Sequence, residues 1–397
     1  MKVLAINAVY GISSTGRGCL ELHDYLVREG HSFLTVYGND KGKYEDAKFV
    51  GNLFTRKFSA LLSRITGKTG YSCLLNTKKI IKTIEGYKPD VVHIHNIHAN
   101  FVNIHKLLEY LAKKDIPTVV TLHDCFFYTG GCTHYTTNGC FKWKIKCEKC
   151  KFKTNAWFFD RTAKMFGDKR RLFNDIKNLA VVGVSDWITK EAKQSPIFKN
   201  AKIIERIYNG IDLSVFRPRA TDFKEKYGLN GKKVVLGVAS GWSEKKGLKV
   251  FCNLAEKVDD SYAVVLVGNV KGSNLSNKII HIPSTDNVEE LVDIYNGADV
   301  LLQSSKEETF GNVVAEALAS GIPVITNDST ANPELVDEKC GIVLHDFSTE
   351  NIINAVKQLT DGNAEELPLK CRERAEILFN KVNNVREYLK IYTDLLT

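Results

Sequence analysis

The chain has 397 residues, 44% hydrophobic and 25% charged, with a net charge of +9. That length exceeds one ordinary core and predicts two domains of roughly 150–200 residues. No apolar run reaches the roughly 20 residues that cross a bilayer, and Met1–Asn7 reads as a first strand, not a signal peptide, so a cytoplasmic address is expected.

Strand-like and helical runs alternate along the whole chain, which predicts parallel sheets with helical crossovers. In the first half, strands are expected at Val3–Ala8, Ser32–Tyr37, Val91–His95, Thr118–Leu122 and Ala180–Val184. Helices are expected at Cys19–Arg28, Thr77–Glu85, Asn103–Lys113 and Trp187–Gln194. The glycine-bearing stretch Gly11–Gly18, with Gly16 and Arg17, reads as a strand-to-helix loop that a ligand could approach, but it is neither GxGxxG nor a Walker sequence. After Arg217-Pro218 a second series begins. Its strands are expected at Val234–Ala239, Tyr262–Val267, Ile279–Ile282, Val300–Gln303 and Val324–Thr326. Its helices are expected at Leu248–Val258, Val288–Gly297 and Asn312–Leu318, with a last amphipathic helix over Phe379–Tyr392. Two such series predict two Rossmann-like domains with a ligand cleft at their strand carboxyl ends.

Cations cluster at Arg56–Arg64, Lys78–Lys82 and Lys142–Lys153. Phe58–Ile65 sets apolar residues at helical spacing among them, which suits an interfacial helix on an anionic membrane; a solvated lysine-rich surface is the alternative. No nucleic-acid-binding motif accompanies the charge, so nucleic acid is not expected as a partner. Five of the ten cysteines fall between Cys125 and Cys150. Cys132, Cys140, Cys147 and Cys150 offer four thiolates in a lysine-rich loop, the ligand set of a structural zinc, with disulfides or free thiols as alternatives. His93 and His95 share one strand face, and packing or substrate contact is preferred for them over metal ligation.

The most informative stretch is Lys306–Val324. Glu308 and Glu316 stand seven residues apart around a helix expected to open near Phe310-Gly311-Asn312. A helix N-terminus suits phosphate, and carboxylates suit sugar hydroxyls, so together they point to a nucleotide sugar. Upstream, Lys245 and Lys246 follow a strand and precede a helix, where lysine reaches phosphates.

This stretch resembles the E-x7-E signature of retaining GT-B glycosyltransferases of family 4. Tyr208–Asp212 with Val215–Pro218, Pro89–Asn96 and Thr121–Asp124 are similar to other segments of that family, in the family's order. The segment after His123 and Thr66–Tyr71 resemble enzymes of capsular and exopolysaccharide assembly. The resemblance implies an α/β GT-B fold: an acceptor-side domain over 1–207 with a cysteine-rich insertion near 125–155, a donor domain over 208–380, and a helix over 381–397 crossing back. It assigns Glu308 to donor-sugar hydroxyls, Glu316 to ribose, Lys246 to the diphosphate and His123 to the reacting sugar. Gly16, Arg17, Lys245, Phe310, Gly311 and Asn312 become donor contacts. The family's arginine is missing, with Gly241 in its place.

The activity so implied is retaining transfer of a hexose from a nucleoside-diphosphate sugar, UDP by family frequency, to a hydroxyl of a glycan or lipid-linked acceptor. The chemistry calls for positioning and cations, with no cofactor or metal required. Domain closure is expected to hinge near Gly210 and Asn380–Asn383. Location at the inner face of the membrane follows if the basic face binds lipid. A GT-B epimerase or phosphorylase, or a non-enzymatic sugar-nucleotide-binding scaffold, are the competing readings.

Overall fold

The computed structural model describes residues 1–39, 44–152, 156–270, 275–285, 287–361 and 366–397. Lys153, the end of one expected basic cluster, and Asn155, the end of the cysteine-rich insertion, lie outside the described residues. The chain divides into two compact units: Met1–Tyr208 with Val382–Thr397, and Asn209–Lys381.

The first unit runs β1 (Lys2–Asn7), α1 (Ser13–Arg28), β2 (Ser32–Tyr37), β3 (Ala47–Phe49), α2 (Leu53–Thr66), α3 (Leu74–Tyr87), β4 (Val91–Ile94), α4 (Ile104–Lys113), β5 (Thr118–Leu122), α5 (Thr162–Asn174), β6 (Leu179–Gly183), α6 (Asp186–Gln194) and β7 (Ile203–Arg206). Its seven strands are all parallel, in the order β3-β2-β1-β4-β5-β6-β7. The central strands are buried at every position, as a sheet covered on both faces requires. Helix starts are set by local capping: the Asn52, Asn103 and Ser185 side chains accept from backbone N–H groups of α2, α4 and α6.

The second unit runs α7 (Phe223–Lys226), β8 (Lys233–Trp242), α8 (Leu248–Lys257), β9 (Tyr262–Val270), β10 (Ile279–Ile282), α9 (Val288–Asn296), β11 (Val300–Gln303), α10 (Asn312–Ala319), β12 (Val324–Asn327), α11 (Asn332–Leu335), β13 (Gly341–Leu344), α12 (Thr349–Thr360) and α13 (Glu366–Leu378). Its six parallel strands take the order β10-β9-β8-β11-β12-β13. Arg372 fastens α13 to this unit by donating to the carbonyls of Leu213, Phe216 and Ala319 at 2.6–2.9 Å.

The last helix, α14 (Lys381–Leu396), returns to the first unit. Val385, Ile391, Tyr392 and Leu395 enter the core made by Val3, Ala5, Val91, Val119 and Ala180. The Tyr392 hydroxyl meets His93 Nδ1 at 2.7 Å, and Arg386 Nε donates to the Tyr25 hydroxyl at 3.0 Å.

Two local differences from the sequence reading matter for function. Helix α1 starts at Ser13, six residues before the expected Cys19, so Gly16 and Arg17 lie in its opening turns and not in a loop. Glycine's poor helix propensity hides that start. The Asn7 amide fixes it instead, donating to the Val9 and Thr15 carbonyls at 3.0 and 3.2 Å. Strand β8 likewise runs past Ala239, so Gly241 is a strand residue in register with Asn269. A side chain at 241 would meet nothing nearer than the Asn269 carbonyl at 3.9 Å, so crowding does not dictate glycine there.

Truncating the buried Tyr392 removes both packing and the partner of a buried imidazole. Urea denaturation should show Tyr392→Ala costing about 3 kcal/mol or more, and Tyr392→Phe about 1–3 kcal/mol through the orphaned His93 nitrogen.

Candidate functional site

In each sheet the strand order reverses once, between β1 and β4 and between β8 and β11. Open parallel sheets bind ligands at the carboxyl ends of such strands. In the second unit, the turn after β8 carries Lys245 and Lys246, and the loop after β11 carries Glu308.

These loops are stitched together. Lys306 N–H donates to the Lys245 carbonyl at 3.0 Å, and the Ser304 hydroxyl donates to the Lys246 carbonyl at 2.8 Å. Gly247 makes that approach possible: its φ is +78°, and a Cβ there would lie 2.3 Å from Ser304 Oγ. The loop after β12 joins through the Asn327 and Asn332 amides, which donate to the Ser305 carbonyl at 2.9 and 3.1 Å. Thr330 Oγ1 accepts from the Glu308 N–H at 2.9 Å.

Across this seam the Lys246 ammonium donates to the Glu308 carboxylate at 2.5 Å. The Glu308 side chain is 17% exposed and that of Lys246 38%, so the pair stands at a partly wet edge. Helix α10 opens two residues beyond Phe310. Gly311, at φ +106°, is its N-cap and offers no side chain to the free N–H groups. Gln303 Nε2, buried beneath, has no hydrogen-bond partner among the described residues and would lie 3.7 Å from a Cβ at Gly311. Asn312 Oδ1 accepts from Asn209 Nδ2 at 3.0 Å, and buried Phe310 packs edge-on to Phe379 at 5.6 Å. Glu316, 6% exposed, accepts from the Tyr295 hydroxyl at 2.8 Å. The structure thus brings Lys246, Glu308 and the α10 opening together, with Glu316 one to two turns further along α10. Ser304, Gln303, Thr330 and Tyr295 were not singled out by the sequence reading.

In the first unit, His123 follows β5 and its Nε2 meets His95 Nδ1 at 3.0 Å, the rings stacked at 5.3 Å. His95 lies 4.0 Å from the His93 ring, and His93 Nε2 meets Thr121 Oγ1 at 2.8 Å. Beside them His98 Nε2 is 3.2 Å from Asp124 Oδ2. Burial works to raise the Asp124 carboxyl, but His98 and the Phe126 N–H outweigh it and hold it low. Burial pushes His93 down to about 3, His123 to about 4, and His95 well below the usual imidazole value, each imidazole also repelled by a histidine neighbour. Arg17 is exposed near the start of α1, with Gly16 buried beside it.

None of the ten cysteines is joined in a disulfide among the described residues. Cys132, Cys140, Cys147 and Cys150 are electrostatic neighbours, and burial pushes Cys132 up to about 12 and Cys147 to about 11. Among the described residues, the one trio of metal-ligand side chains with atoms within 4.8 Å of one another is His23, Asp24 and Asp46; no three of the four sulfurs come that close. Buried Lys169 lies near Cys132 and Cys147, donates to the Phe126 carbonyl and sits 4.1 Å from its ring.

The histidine layer gives a signed pH dependence. An imidazole held below its unfolded value of about 6.5 makes the unfolded chain the better proton binder below that pH. Stability is therefore undiminished above about pH 6.5 and falls as pH drops toward 4. The urea midpoint should be lower at pH 5 than at pH 7.5, and His95→Gln should narrow that difference.

Two family models match the chain: Glycosyltransferase Family 4 over residues 15–215, and Glycosyl transferases group 1 over residues 220–377. The chain is 23% identical to the Escherichia coli (strain K12) protein WcaC, named as a colanic acid biosynthesis glycosyl transferase, with 100% of both chains covered. It is 28% identical to the N-acetyl-alpha-D-glucosaminyl L-malate synthase of Bacillus anthracis over 54% of this chain and 60% of that one. A glycosyltransferase from Rickettsia africae ESF-5 has a similar structure, with a TM-score of 0.70 at 18% identity and 100% and 98% of the chains covered. Anabaena Alr3699/HepE, solved with UDP and glucose, has a TM-score of 0.66 at 16% identity over 99% and 100% of the chains. These likenesses show the GT-B fold, two Rossmann-like units of parallel sheet. With half its length matched by that family's model and residues 220–377 by the group 1 model, the chain belongs to Glycosyltransferase Family 4.

Proposed function

We propose that this glycosyltransferase moves a sugar from a UDP-sugar to a hydroxyl of a growing surface polysaccharide, with retention of anomeric configuration. The observation that carries the reading is the Lys246–Glu308 pair beside the uncapped start of α10. Alone, the pair neutralises itself. A nucleotide sugar offers each partner a better one: phosphate for Lys246 and sugar hydroxyls for Glu308. The α10 N–H groups and the Gln303 amide supply further donors, and Glu316 suits ribose hydroxyls. Lys245 is the second cation near the diphosphate, a point charge where the family has an arginine fork. Retention and metal-independent chemistry come from the family resemblance. The names of relatives support the remainder: WcaC is named for colanic acid, and HepE was solved with UDP-glucose. His123, neutral at pH 7 by its depressed value, serves a sugar as a hydrogen-bonding group and not as a cation.

Calorimetric titration with UDP- and GDP-sugars tests this. Lys246→Ala and Glu316→Ala should each weaken the preferred UDP-sugar by about tenfold or more, the worth of a charge-assisted hydrogen bond. Unchanged affinity in both variants would remove the site. Gly241 favours a second reading, a sugar-nucleotide-binding scaffold. Tight donor binding with neither sugar transfer nor donor hydrolysis would select it.

The four-cysteine loop carries a separate proposal, a structural zinc. Its lysines and the buried Lys169 would offset the negative charge of a tetrathiolate, and binding would draw the sulfurs together as it displaces their protons. Elemental analysis of reductively purified protein should find about one zinc per chain, lost in a Cys147→Ser, Cys150→Ser variant. Metal-free protein would refute it.

A further inference from the structure

Helix α2 is inside out. Its buried residues are Ser59 and Ser63, while Leu53, Phe54, Phe58 and Leu61 are exposed, Phe54 at 77%. The two buried serines make hydrogen bonds on the inner face: Ser59 Oγ is 2.8 Å from Cys73 Sγ, and Ser63 Oγ donates to Asn100 Oδ1 at 3.0 Å. A water-facing helix normally does the reverse, turning its apolar stripe to the core.

The apolar surface continues on both sides. Leu74 and Leu75 open α3, with Leu75 69% exposed. A groove of about 540 Å³ separates α2 from α3, lined by Phe58, Leu62, Tyr71, Leu74 and Leu75 among others. At the other end of α2, Trp157 N–H donates to the Arg64 carbonyl at 2.7 Å. That bond places three consecutive exposed aromatics, Trp157, Phe158 and Phe159, beside the helix terminus.

The charge is as one-sided as the apolar surface. From Ala47 to Ile84 there is no aspartate or glutamate, against Lys48, Arg56, Lys57, Arg64, Lys68, Lys78, Lys79 and Lys82. Large apolar side chains ringed by cations, with aromatics at the margin, match the layered chemistry of an anionic bilayer: headgroup charge outside, hydrocarbon beneath.

We propose that the face built by α2, the start of α3 and residues 157–159 docks on a bilayer bearing anionic headgroups. Phe54, Phe58 and Leu61 enter the acyl boundary while Arg56, Lys57, Lys78 and Lys79 neutralise headgroups. No helix among the described residues is long and apolar enough to cross a membrane, so the attachment is to one surface. An enzyme so seated meets acceptors carried on lipid. That consequence rests on the proposed sugar transfer, whereas the docking itself does not.

The test is sedimentation of the full chain with vesicles of phosphatidylcholine alone and with about one third phosphatidylglycerol, at low and high salt. The expected result is binding to the anionic vesicles that weakens with salt. Replacing Lys57, Lys78 and Lys79 by glutamine should lower it by about fivefold per cation, and Phe54→Ser with Phe58→Ser should abolish it. Circular dichroism and the urea midpoint of these variants should match the parent, showing that they fold. No preference for anionic vesicles, or binding indifferent to both sets of substitutions, would overturn the proposal. So would a dimer that dissolves on Phe54→Ser while vesicle binding is absent, since a second copy would then cover the face. Vesicle binding is read without donor or acceptor, so its failure leaves the transfer reading standing, and the converse also holds.

Discussion

Every strand pair in both sheets is parallel, and the site depends on that constraint. Parallel hydrogen bonding sends most connections back across a helix and collects the strand exits at one edge. Val300 pairs with Val235 and Leu301 with both Leu236 and Val324, so β8, β11 and β12 end side by side. Only then can Lys246, Glu308 and Thr330, distant in sequence, share one patch. The Lys306–Lys245 and Asn327–Ser305 bonds hold the three exits in fixed relation. An edge built this way is rigid at its base and polar at its rim, which suits the proposed positioning of a charged donor.

The first unit spends its interior differently. At the matching edge of its sheet it stacks His93, His95 and His123, three neutral imidazoles, between β4, β5 and the returning helix α14. Buried polar rings are tolerable because Tyr392, Thr121 and neighbouring rings satisfy most of their nitrogens. His95 Nε2 is an exception, buried without a hydrogen-bond partner among the described residues. Packing and the His95–His123 hydrogen bond draw on the same residues at this edge.

Most of the fold was legible because buried strands are continuous apolar runs and the crossovers keep helical spacing. Ser32–Tyr37, Thr118–Leu122, Ile279–Ile282 and Val300–Gln303 read from sequence with the bounds found. What failed had physical causes. Gly16 and Gly18 masked the first turns of α1, β3 and β7 are short and partly exposed, and α13 buries only Cys371 and Ala375, leaving no apolar stripe to see. Glu308, Glu316 and Lys246 could be named as candidates from sequence because each sits in a short local motif. Ser304, Thr330, Tyr295 and Gln303 were not, because their roles come from contacts across tens of residues. The inverted face of α2 was half legible: the sequence showed apolar residues among cations, but not that the serines point inward.

The central claim is that Glu308 serves the sugar while Lys246 serves the diphosphate, and that the two neutralise each other when neither is bound. The most direct measurement compares UDP with the preferred UDP-sugar by calorimetry in the parent and in Glu308→Gln. The account predicts that UDP binds the variant as well as the parent or better, because Lys246 is released, while the advantage of the UDP-sugar over UDP falls by about tenfold. An equal change for both ligands, or weaker binding of UDP alone, would contradict it.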